Sequence, residues 1–278
     1  MTQIELDFFH FFARGTTAGA RGPLVVIAGP CLLESHEIHR RIADALCTSC
    51  ARLGMVPIFK GSFDKANRSS VRSARGPGID AGCEMLARVR SEFGVSLTTD
   101  IHEPSQAARA AATVDMLQIP AFLCRQTDLL AAAGATGRAV NIKKGQFMAP
   151  SEMRGAIGKV QEAGSQHILL TDRGTFFGYH RLVNDFVALA DLAALGVPVC
   201  LDATHSTQRP GEGETSGGHG QHAPMLARAA VAAGVDAVFL ECHPDPTSSP
   251  SDRSTILPLS QLDPLLTQLA AIRRAVAT

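Results

Sequence analysis

Charged side chains in this 278-residue sequence recur directly after short apolar segments. Four of these segments run into cations, which are Lys60, Lys65, Arg68, Arg125, Lys143, Lys144 and Arg173. A single cation in such a place is usually a solvated charge, but four cation-bearing ends brought to one mouth would form a strongly positive pocket. Such a pocket suits an anion with several charges, most commonly phosphate plus carboxylate, because Arg gives forked contacts and Lys gives point charges.

A second set of residues combines a thiol, an imidazole and two carboxylates. Cys31 lies in GPCLLES, His205 in LDATHSTQ, Glu241 in FLECHPDP and Asp252 in PSDRST. These side chains are ligands of borderline divalent metals such as Zn, Fe or Mn. Cys31 could equally be a small buried residue, or a nucleophile with His205 as its base. Because the four positions are far apart in sequence, only the fold decides whether they meet.

Other polar residues also lie at the ends of the apolar segments, two of them on segments that carry cations. Those at or next to the segment ends are Asp100, Gln118, Asp172 and Asp202. His219, His222 and His243 are weaker ligand candidates. The first two lie in GGHGQH, which is typical of a loop, and His243 shares a strand face with Glu241.

Eight short apolar segments predict eight β-strands, at residues 25–29, 56–61, 95–100, 115–120, 139–144, 167–172, 197–205 and 237–243. Most are continuously apolar, which is typical of parallel strands covered on both faces. Helix-compatible segments follow them, at residues 37–53, 80–93, 104–112, 127–133, 151–163, 182–195, 224–233 and 260–277. Eight strand–helix units predict an α/β fold, a (β/α)8 TIM barrel, whose catalytic groups gather at the carboxyl ends of the strands. A doubly wound sheet is the alternative, but its GxGxxG motif is absent.

The chain is predicted to form a single catalytic domain over residues 1–278. Residues 1–24 form an N-terminal extension that covers the bottom of the barrel. Six helices are expected to end at a glycine in the left-handed conformation, namely Gly54, Gly94, Gly134, Gly164, Gly196 and Gly234.

Composition excludes several classes of partner and compartment. Lys plus Arg equal Asp plus Glu at 26 each, so the formal net charge is zero, which argues against nucleic acid or an acidic membrane as the main partner. The seven cysteines are an odd number without a disulfide-like pattern, and no apolar run reaches a membrane-spanning length. The sequence therefore predicts a cytoplasmic protein with no membrane segment.

Several longer strings carry a resemblance to a known family. GPCLLES, KGSFDKANRSS, DIHEPSQA, LQIPAFLCRQTDLL, DRGTFFGY and ECHPDP together resemble the 3-deoxy-D-manno-octulosonate 8-phosphate synthases over roughly residues 24–270. KANRSS and IPAFLCRQTDL are the specific strings, since related phosphoenolpyruvate-condensing aldolases share GPCxxES.

The resemblance implies a (β/α)8 barrel that assembles as a homotetramer. It implies condensation of phosphoenolpyruvate with D-arabinose 5-phosphate and water, giving the eight-carbon sugar acid phosphate and inorganic phosphate for lipopolysaccharide biosynthesis. Family members divide into those that need a divalent metal and those that do not. The metal-dependent members have Cys after the first strand where the others have Asn, so Cys31 implies the metal-dependent class.

The resemblance also implies roles for individual residues. Phosphoenolpyruvate would be held by Lys60, Ser62, Lys65, Gln118, Lys143 and Arg173. The aldose and its phosphate would be held by Asn67, Arg68 and Ser69, with Arg125 reaching the aldose phosphate of a neighbouring subunit. The metal would be held by Cys31, His205, Glu241 and Asp252. Asp100 would also bind substrate, Lys60 and Lys65 would be catalytic, and His205 or Asp252 would move the proton.

Two other functions stay open at this point. A heptulosonate phosphate synthase of aromatic biosynthesis would use a four-carbon aldehyde, but a KPRTS-type string is typical there and this chain has KANRS. A non-catalytic barrel that senses a sugar phosphate or a metal is the other, because barrels host many functions.

Overall fold

The computed structural model describes residues 11–12, 22–66, 74–210 and 217–276, and these ranges contain a closed barrel of eight parallel strands. The strands are β1 (Val25–Gly29), β2 (Val56–Lys60), β3 (Ser96–Asp100), β4 (Met116–Ile119), β5 (Ala139–Lys143), β6 (Ile168–Asp172), β7 (Val199–Asp202) and β8 (Ala237–His243). The helices that follow them are α1 (His36–Leu53), α2 (Ile79–Phe93), α3 (Gln106–Ala111), α4 (Thr127–Ala135), α5 (Met153–Glu162), α6 (Val187–Ala193), α7 (Ala223–Ala233) and α8 (Leu262–Ala275). Each strand pairs with the next, and β1 closes the barrel by pairing with β8. The predicted (β/α)8 barrel is confirmed.

Alternate residues of each strand point into the barrel, because side chains in a strand change face at every residue. Val25 and Ile27 of β1 pack inside the barrel with Phe239 of β8, whereas Val26 and Ala28 belong to the larger core under the helices. Both faces of the strands are therefore buried, as their continuously apolar sequences predict.

The inward rows change from apolar to polar at the carboxyl ends of the strands. In β2 the row runs from Ile58 to Lys60, and in β8 it runs from Phe239 to Glu241. β5 likewise ends its inward row at Lys143. The residues below these ends fill the barrel, and the polar last layer forms the floor of a site.

Local sequence sets the limits of α1. The Ser35 side chain accepts the Ile38 N–H at the first turn, and Gly54 ends the helix in the left-handed conformation with φ 66°. No helix in the described ranges is both long enough and apolar enough to cross a membrane.

Helix α6 begins later than the predicted segment 182–195. Leu182–Val183 instead pairs antiparallel with Thr175–Phe176 in a short hairpin after β6. Asp185 explains the later start, because its Oδ1 accepts the backbone N–H of Val187 at 2.9 Å and so caps the helix. The prediction was wrong here because apolar periodicity could not distinguish the hairpin from a first helical turn.

Gly134 does not end its helix, contrary to the prediction. It lies within α4, where an added Cβ would come within 2.5 Å of Val160 O on the neighbouring α5. The left-handed residue that follows α4 is Gly137, with φ 69°. Gly134 is thus required for close helix packing, a tertiary contact that leaves no local signal in the sequence.

The predicted N-terminal extension lies mostly outside the described residues. Phe12 is described, is buried, and packs with the inner barrel cluster that contains Val25 and Val56. These residues begin their strands, so Phe12 lies at the bottom of the barrel. The extension as a whole, residues 1–24, stays a prediction.

His39 on α1 supports the loop that follows Cys31. Its ring is fully buried, and its Nε2 accepts the Glu34 N–H at 2.9 Å. Burial, to which the neighbouring His36 adds, lowers the pKa of His39 to about 4. The neutral ring is therefore the form that the fold stabilises.

We expect acid to weaken the fold through His39. The pKa of His39 is lower in the folded chain than its unfolded value of about 6.5. The stability that the neutral ring contributes is therefore complete above the unfolded pKa, and it is lost as the pH falls toward the pKa of the folded chain. The loss should be about 2 kcal/mol at about pH 5. Urea unfolding of the wild type and His39→Gln at about pH 7.5 and about pH 5 measures it. The same pH dependence in both proteins would contradict the assignment.

Candidate active site

A pocket of about 680 Å³ opens at the carboxyl ends of the barrel strands. The predicted site residues that line it are Lys60, Lys65, Asp100, Gln118, Lys143, Arg173, His205, Glu241 and Asp252. Cys31 and Ser62 lie behind its wall, where Cys31 contacts Asp252 and Ser62 contacts Asp100. The barrel thus brings together side chains that are distant in sequence.

Lys60 and Glu241 form a buried ion pair at the floor of the pocket. Lys60 Nζ donates to Glu241 Oε1 at 2.5 Å and to the backbone oxygens of Pro30 and Cys31 at 3.2 and 2.9 Å. Burial by itself would raise the pKa of Glu241, but His205, Lys60 and Lys65 outweigh it and hold the pKa well below its usual range. Glu241 is therefore an anion, and Lys60 joins it to the loop that carries Cys31.

Asp100 organises two neutral groups of the site. Its two oxygens accept hydrogen bonds from Ser62 Oγ and Gln118 Nε2. Gln118 Oε1 in turn accepts Asn141 Nδ2 at 2.9 Å. Burial would raise the pKa of Asp100, but nearby lysines, Lys60 foremost, hold it well below its usual range. The charged carboxylate fixes the orientation of Ser62 and Gln118.

Asp202, the last residue of β7, joins Lys143 to His205. Its Oδ2 lies 2.7 Å from Lys143 Nζ and 2.7 Å from His205 Nδ1. Burial would raise the pKa of Asp202, but His205 and Lys143 hold it well below its usual range. Because a charged carboxylate can only accept, His205 Nδ1 carries a proton, and in the neutral ring Nε2 would be the nitrogen that offers a lone pair.

His205 Nε2 faces the other candidate metal ligands. His205 Nε2 lies 3.4 Å from Glu241 Oε2 and 3.9 Å from Asp252 Oδ2. Ligand atoms of Cys31, Glu241 and Asp252 all lie within 4.8 Å of one another. Glu241 Oε2 is buried and has no hydrogen-bond partner among the described residues. The thiol, the imidazole and the two carboxylates, one of which has an unpartnered buried oxygen, form a ligand set that fits a borderline divalent cation.

Two details of this cluster concern its charge and its backbone. Burial, followed by Glu241, raises the pKa of the Cys31 thiol well above its ordinary value, and Cys31 Sγ donates to Asp252 Oδ2 at 3.1 Å. Asp252 has a left-handed backbone with φ 50°, which is uncommon for a residue other than glycine. Strained backbones of this kind concentrate at functional sites.

Arg173 approaches the pocket from the end of β6. It is buried, and it donates to Gln208 Oε1 and to the backbone oxygen of His205 at 3.3 Å. Gln208 Nε2 donates to Asp252 Oδ1 at 3.1 Å. Arg173 Nε is buried without a hydrogen-bond partner in the part of the chain that the structure describes, so one donor is available to a ligand.

Carboxylates pair with two of the lysines in the pocket, which the sequence analysis did not predict. Lys60 pairs with Glu241 and Lys143 with Asp202, and these four side chains are almost completely buried. A buried ammonium group needs such a partner, because the cost of desolvating an unpaired charge is several kcal/mol or more. Lys60 and Lys143 therefore stand in the pocket as fixed, paired charges rather than as free cations.

Some predicted residues lie elsewhere or outside the described ranges. Asn67, Arg68 and Ser69 fall in residues 67–73, which the structure does not describe. Arg125 is exposed and is not among the residues that line the pocket. The predicted roles of these four residues stay predictions.

The three weaker histidine candidates do not join the ligand group. His243 Nε2 faces Glu34 Oε1 at 3.3 Å instead. His219 and His222 lie with their rings 5.9 Å apart beside a second cavity, which is lined by Leu182, Asn184, Ser206 and Met225 among others.

The assignment of individual roles from sequence missed three polar residues. Asp202 was noted at the end of its strand but received no role, and Asn141 and Gln208 were not noted. The signal for Asp202 and Asn141 is the inward row of their strands, which ends at the pocket. No local signal distinguishes Gln208 from other loop residues, because its contacts with Arg173 and Asp252 come from three separate loops.

The chain is similar to known proteins over nearly its whole length. The DAHP synthetase I family matches residues 3–277, nearly the whole chain. The chain belongs to this family. Among curated relatives, it is 54% identical to a 2-dehydro-3-deoxyphosphooctonate aldolase of Nitratidesulfovibrio vulgaris (strain DP4) over 248 residues, which cover 89% of this chain and 91% of the relative. It is 53% identical to a protein of the same name from Cyanothece sp. (strain PCC 7425), over 92% of this chain and 94% of the relative.

A third relative with this name, from Granulibacter bethesdensis, is 53% identical over 89% of this chain and 88% of the relative. The compound in these names is the eight-carbon sugar acid phosphate of the family to which the sequence motifs pointed. The resemblance to the octulosonate phosphate synthases within the DAHP synthetase I family is confirmed.

Proposed function

We propose that the protein is a transferase that condenses phosphoenolpyruvate with D-arabinose 5-phosphate and water. The products are 3-deoxy-D-manno-octulosonate 8-phosphate, an intermediate of lipopolysaccharide biosynthesis, and inorganic phosphate. The observation that carries the proposal is the meeting of Lys60, Lys143 and Arg173 in one pocket, in a chain whose relatives are named for this product.

The substrates divide the site into two parts. Phosphoenolpyruvate binds to Lys60, Ser62, Lys65, Gln118, Lys143 and Arg173. The aldose and its phosphate bind to Asn67, Arg68 and Ser69, and Arg125 of a neighbouring subunit reaches the aldose phosphate. Because Asp100 is an anion that already accepts from Ser62 and Gln118, we assign it the role of fixing the positions of these two side chains beside the phosphoenolpyruvate.

The reaction forms one carbon–carbon bond. The electron pair of the enol double bond attacks the aldehyde carbon of the open-chain aldose, and the aldehyde oxygen takes up a proton. Positive charge develops at the carbon that carries the phosphate, water adds there, and the carbon–oxygen bond to phosphate breaks. Fixed cations hold the reactants in the attack geometry, and His205 or Asp252 moves the proton.

Cys31, His205, Glu241 and Asp252 are suited to hold a divalent cation, for which Zn, Fe and Mn are the candidates. When bound, such a cation supplies Lewis-acid chemistry, by polarising the aldehyde or by lowering the pKa of a water molecule. The unpartnered Glu241 Oε2 and the position of His205 Nε2 beside it support this assignment.

Phosphate release from phosphoenolpyruvate tests the proposed reaction. The purified protein is offered D-arabinose 5-phosphate, a four-carbon aldose phosphate, or no aldose. We expect release with arabinose 5-phosphate alone. Release only with the four-carbon aldose would favour the heptulosonate phosphate synthase, and no release with either would favour a binding protein.

We expect removal of the metal to abolish activity, and Cys31→Ser to weaken metal binding. The loss of affinity should exceed the roughly 10–100-fold that the loss of an outer-shell partner costs, because a thiolate ligand disappears. Metal content after gel filtration, with activity after chelation and metal add-back, measures both effects. Cys83→Ser is the matched control, since Cys83 is also buried and free but lies on α2 away from the site. Wild-type activity that survives chelation would contradict the metal assignment.

We also propose a homotetramer in the cytoplasm. All seven cysteines are free in the structure, which supports a reducing compartment. Light scattering of the purified protein measures the oligomeric state, and a monomer would contradict both the tetramer and the role of Arg125 between subunits.

A further inference from the structure

We propose that Asp202 is a positioning residue that fixes two binding groups at once, the phosphoenolpyruvate-binding Lys143 and the metal-binding His205. This inference rests on the proposed function, because it concerns the two ligands assigned to the site. It goes further by joining their binding groups through a single carboxylate that contacts neither ligand.

Asp202 has no remaining capacity for another donor. Its Oδ2 accepts from Lys143 Nζ and His205 Nδ1, both at 2.7 Å. Its Oδ1 accepts from the His205 N–H at 2.9 Å and from Thr204 Oγ1 at 3.1 Å. A carboxylate offers about four lone-pair sites, and all are used. Asp202 is also fully buried, so it acts through its neighbours rather than on a substrate.

The contacts of Asp202 fix His205 twice. The bond to Nδ1 sets the tautomer and the plane of the ring, and the bond to the backbone N–H holds the turn after β7. A second partner of this kind is what raises the basicity of a metal-binding histidine and holds its direction.

Asp202 is also connected through Thr204 to Glu241, a second candidate metal-binding residue. Thr204 Oγ1 donates to Asp202 Oδ1, and it accepts the backbone N–H of Glu241 at 3.1 Å. Two of the four candidate metal ligands, His205 and Glu241, are therefore held in part by Asp202.

Lys143 is fixed by Asp202 on one side and by an aromatic ring on another. Its Nζ lies 3.8 Å from the centroid of the Phe239 ring, in cation–π geometry. Without Asp202 the buried ammonium group would keep only this weaker contact among those that the structure describes. Its position, and with it the binding of an anion, should then be lost.

The test measures the two affinities separately in Asp202→Asn. Co²⁺ binding is followed by its absorbance in the absence of substrate, and phosphoenolpyruvate binding is followed by calorimetry in the chelated protein. We expect Co²⁺ affinity to fall about 10–100-fold and phosphoenolpyruvate affinity to fall about tenfold. The asparagine amide has an NH₂ group in place of one carboxylate oxygen, so one of the present donors would face another donor instead of an acceptor.

Asp236→Asn is the matched control. Asp236 Oδ2 accepts the Val199 N–H at 2.9 Å and so joins the same strands, β7 and β8, at their opposite ends. Its substitution should lower the melting temperature while both affinities stay at the wild-type value. Equal losses of affinity in the two variants would mean a general structural role and would overturn the proposal.

The remaining outcomes are equally decisive. If Asp202→Asn loses Co²⁺ affinity but keeps phosphoenolpyruvate affinity, or the reverse, the shared role is wrong. A wild-type protein that binds phosphoenolpyruvate but no Co²⁺ would overturn the His205 part of the proposal while leaving the condensation intact. A wild type that binds neither would contradict the proposed function itself.

Discussion

Lys60→Met is expected to lower turnover on the order of 10²–10³-fold, the range seen when one fixed electrostatic donor is removed from an active site. It should also lower the free energy of unfolding by about 3–5 kcal/mol, because removal of one partner from a buried ion pair leaves an uncompensated charge. Both effects follow from the position of Lys60 at the floor of the pocket.

Three contacts of Lys60 would be lost together. Its Nζ pairs with Glu241 Oε1 at 2.5 Å and bonds to the backbone oxygens of Pro30 and Cys31. Methionine fills a similar volume but offers no donor, so Glu241 would lose its nearest cation. The loop that carries Cys31 would also lose its attachment to β2.

Lys144→Met separates the effect on turnover from the effect on stability. Lys144 is equally buried and lies 3.3 Å from Asp172, but it does not line the pocket. This control should lose stability and keep most of its turnover. Steady-state kinetics and urea unfolding of both variants measure the difference. Wild-type turnover in Lys60→Met, or an equal loss in Lys144→Met, would contradict the role of Lys60.

Gly29→Ala is expected to prevent normal folding or to destabilise the protein by at least about 3 kcal/mol, the upper end of the usual cost of overpacking a core. An added Cβ would lie 1.7 Å from Lys60 O and 2.7 Å from Lys60 C. These atoms belong to the backbone of β2, so no side-chain rotation relieves the overlap. β1 and β2 would have to separate where they carry Cys31 and Lys60.

Gly158→Ala is the control for this substitution. Gly158 lies in α5, and an added Cβ would meet no atom within 4 Å. This change should stabilise the helix by about 0.5–1 kcal/mol, because alanine is the better helix former. Thermal unfolding of the two variants tests the pair. A Gly29→Ala protein as stable as the wild type would show that β1 and β2 can move apart freely.

The sequence by itself determined the barrel and the floor of its pocket. Eight apolar segments, each followed by a helix-compatible segment, predicted the strands, and β8 was predicted at its observed limits, Ala237–His243. Because catalytic groups of this fold gather at strand ends, Lys60, Lys143 and Glu241 could be assigned to one site before any distance was known. These are local patterns of apolar and polar residues, and they can be recognised within the sequence of each strand.

Only the tertiary structure decided how the charges pair. Lys60 and Glu241 are 181 residues apart, and Lys143 and Asp202 are 59 apart, so neither pair has a local signature. The fold also assigned a reason to Gly29, the last residue of β1, because the absence of a side chain there allows close approach to β2. Barrel closure sets the charge pairing, because it brings the ends of distant strands within hydrogen-bonding distance, and the direct pairing of β1 with β2 sets the close approach at Gly29.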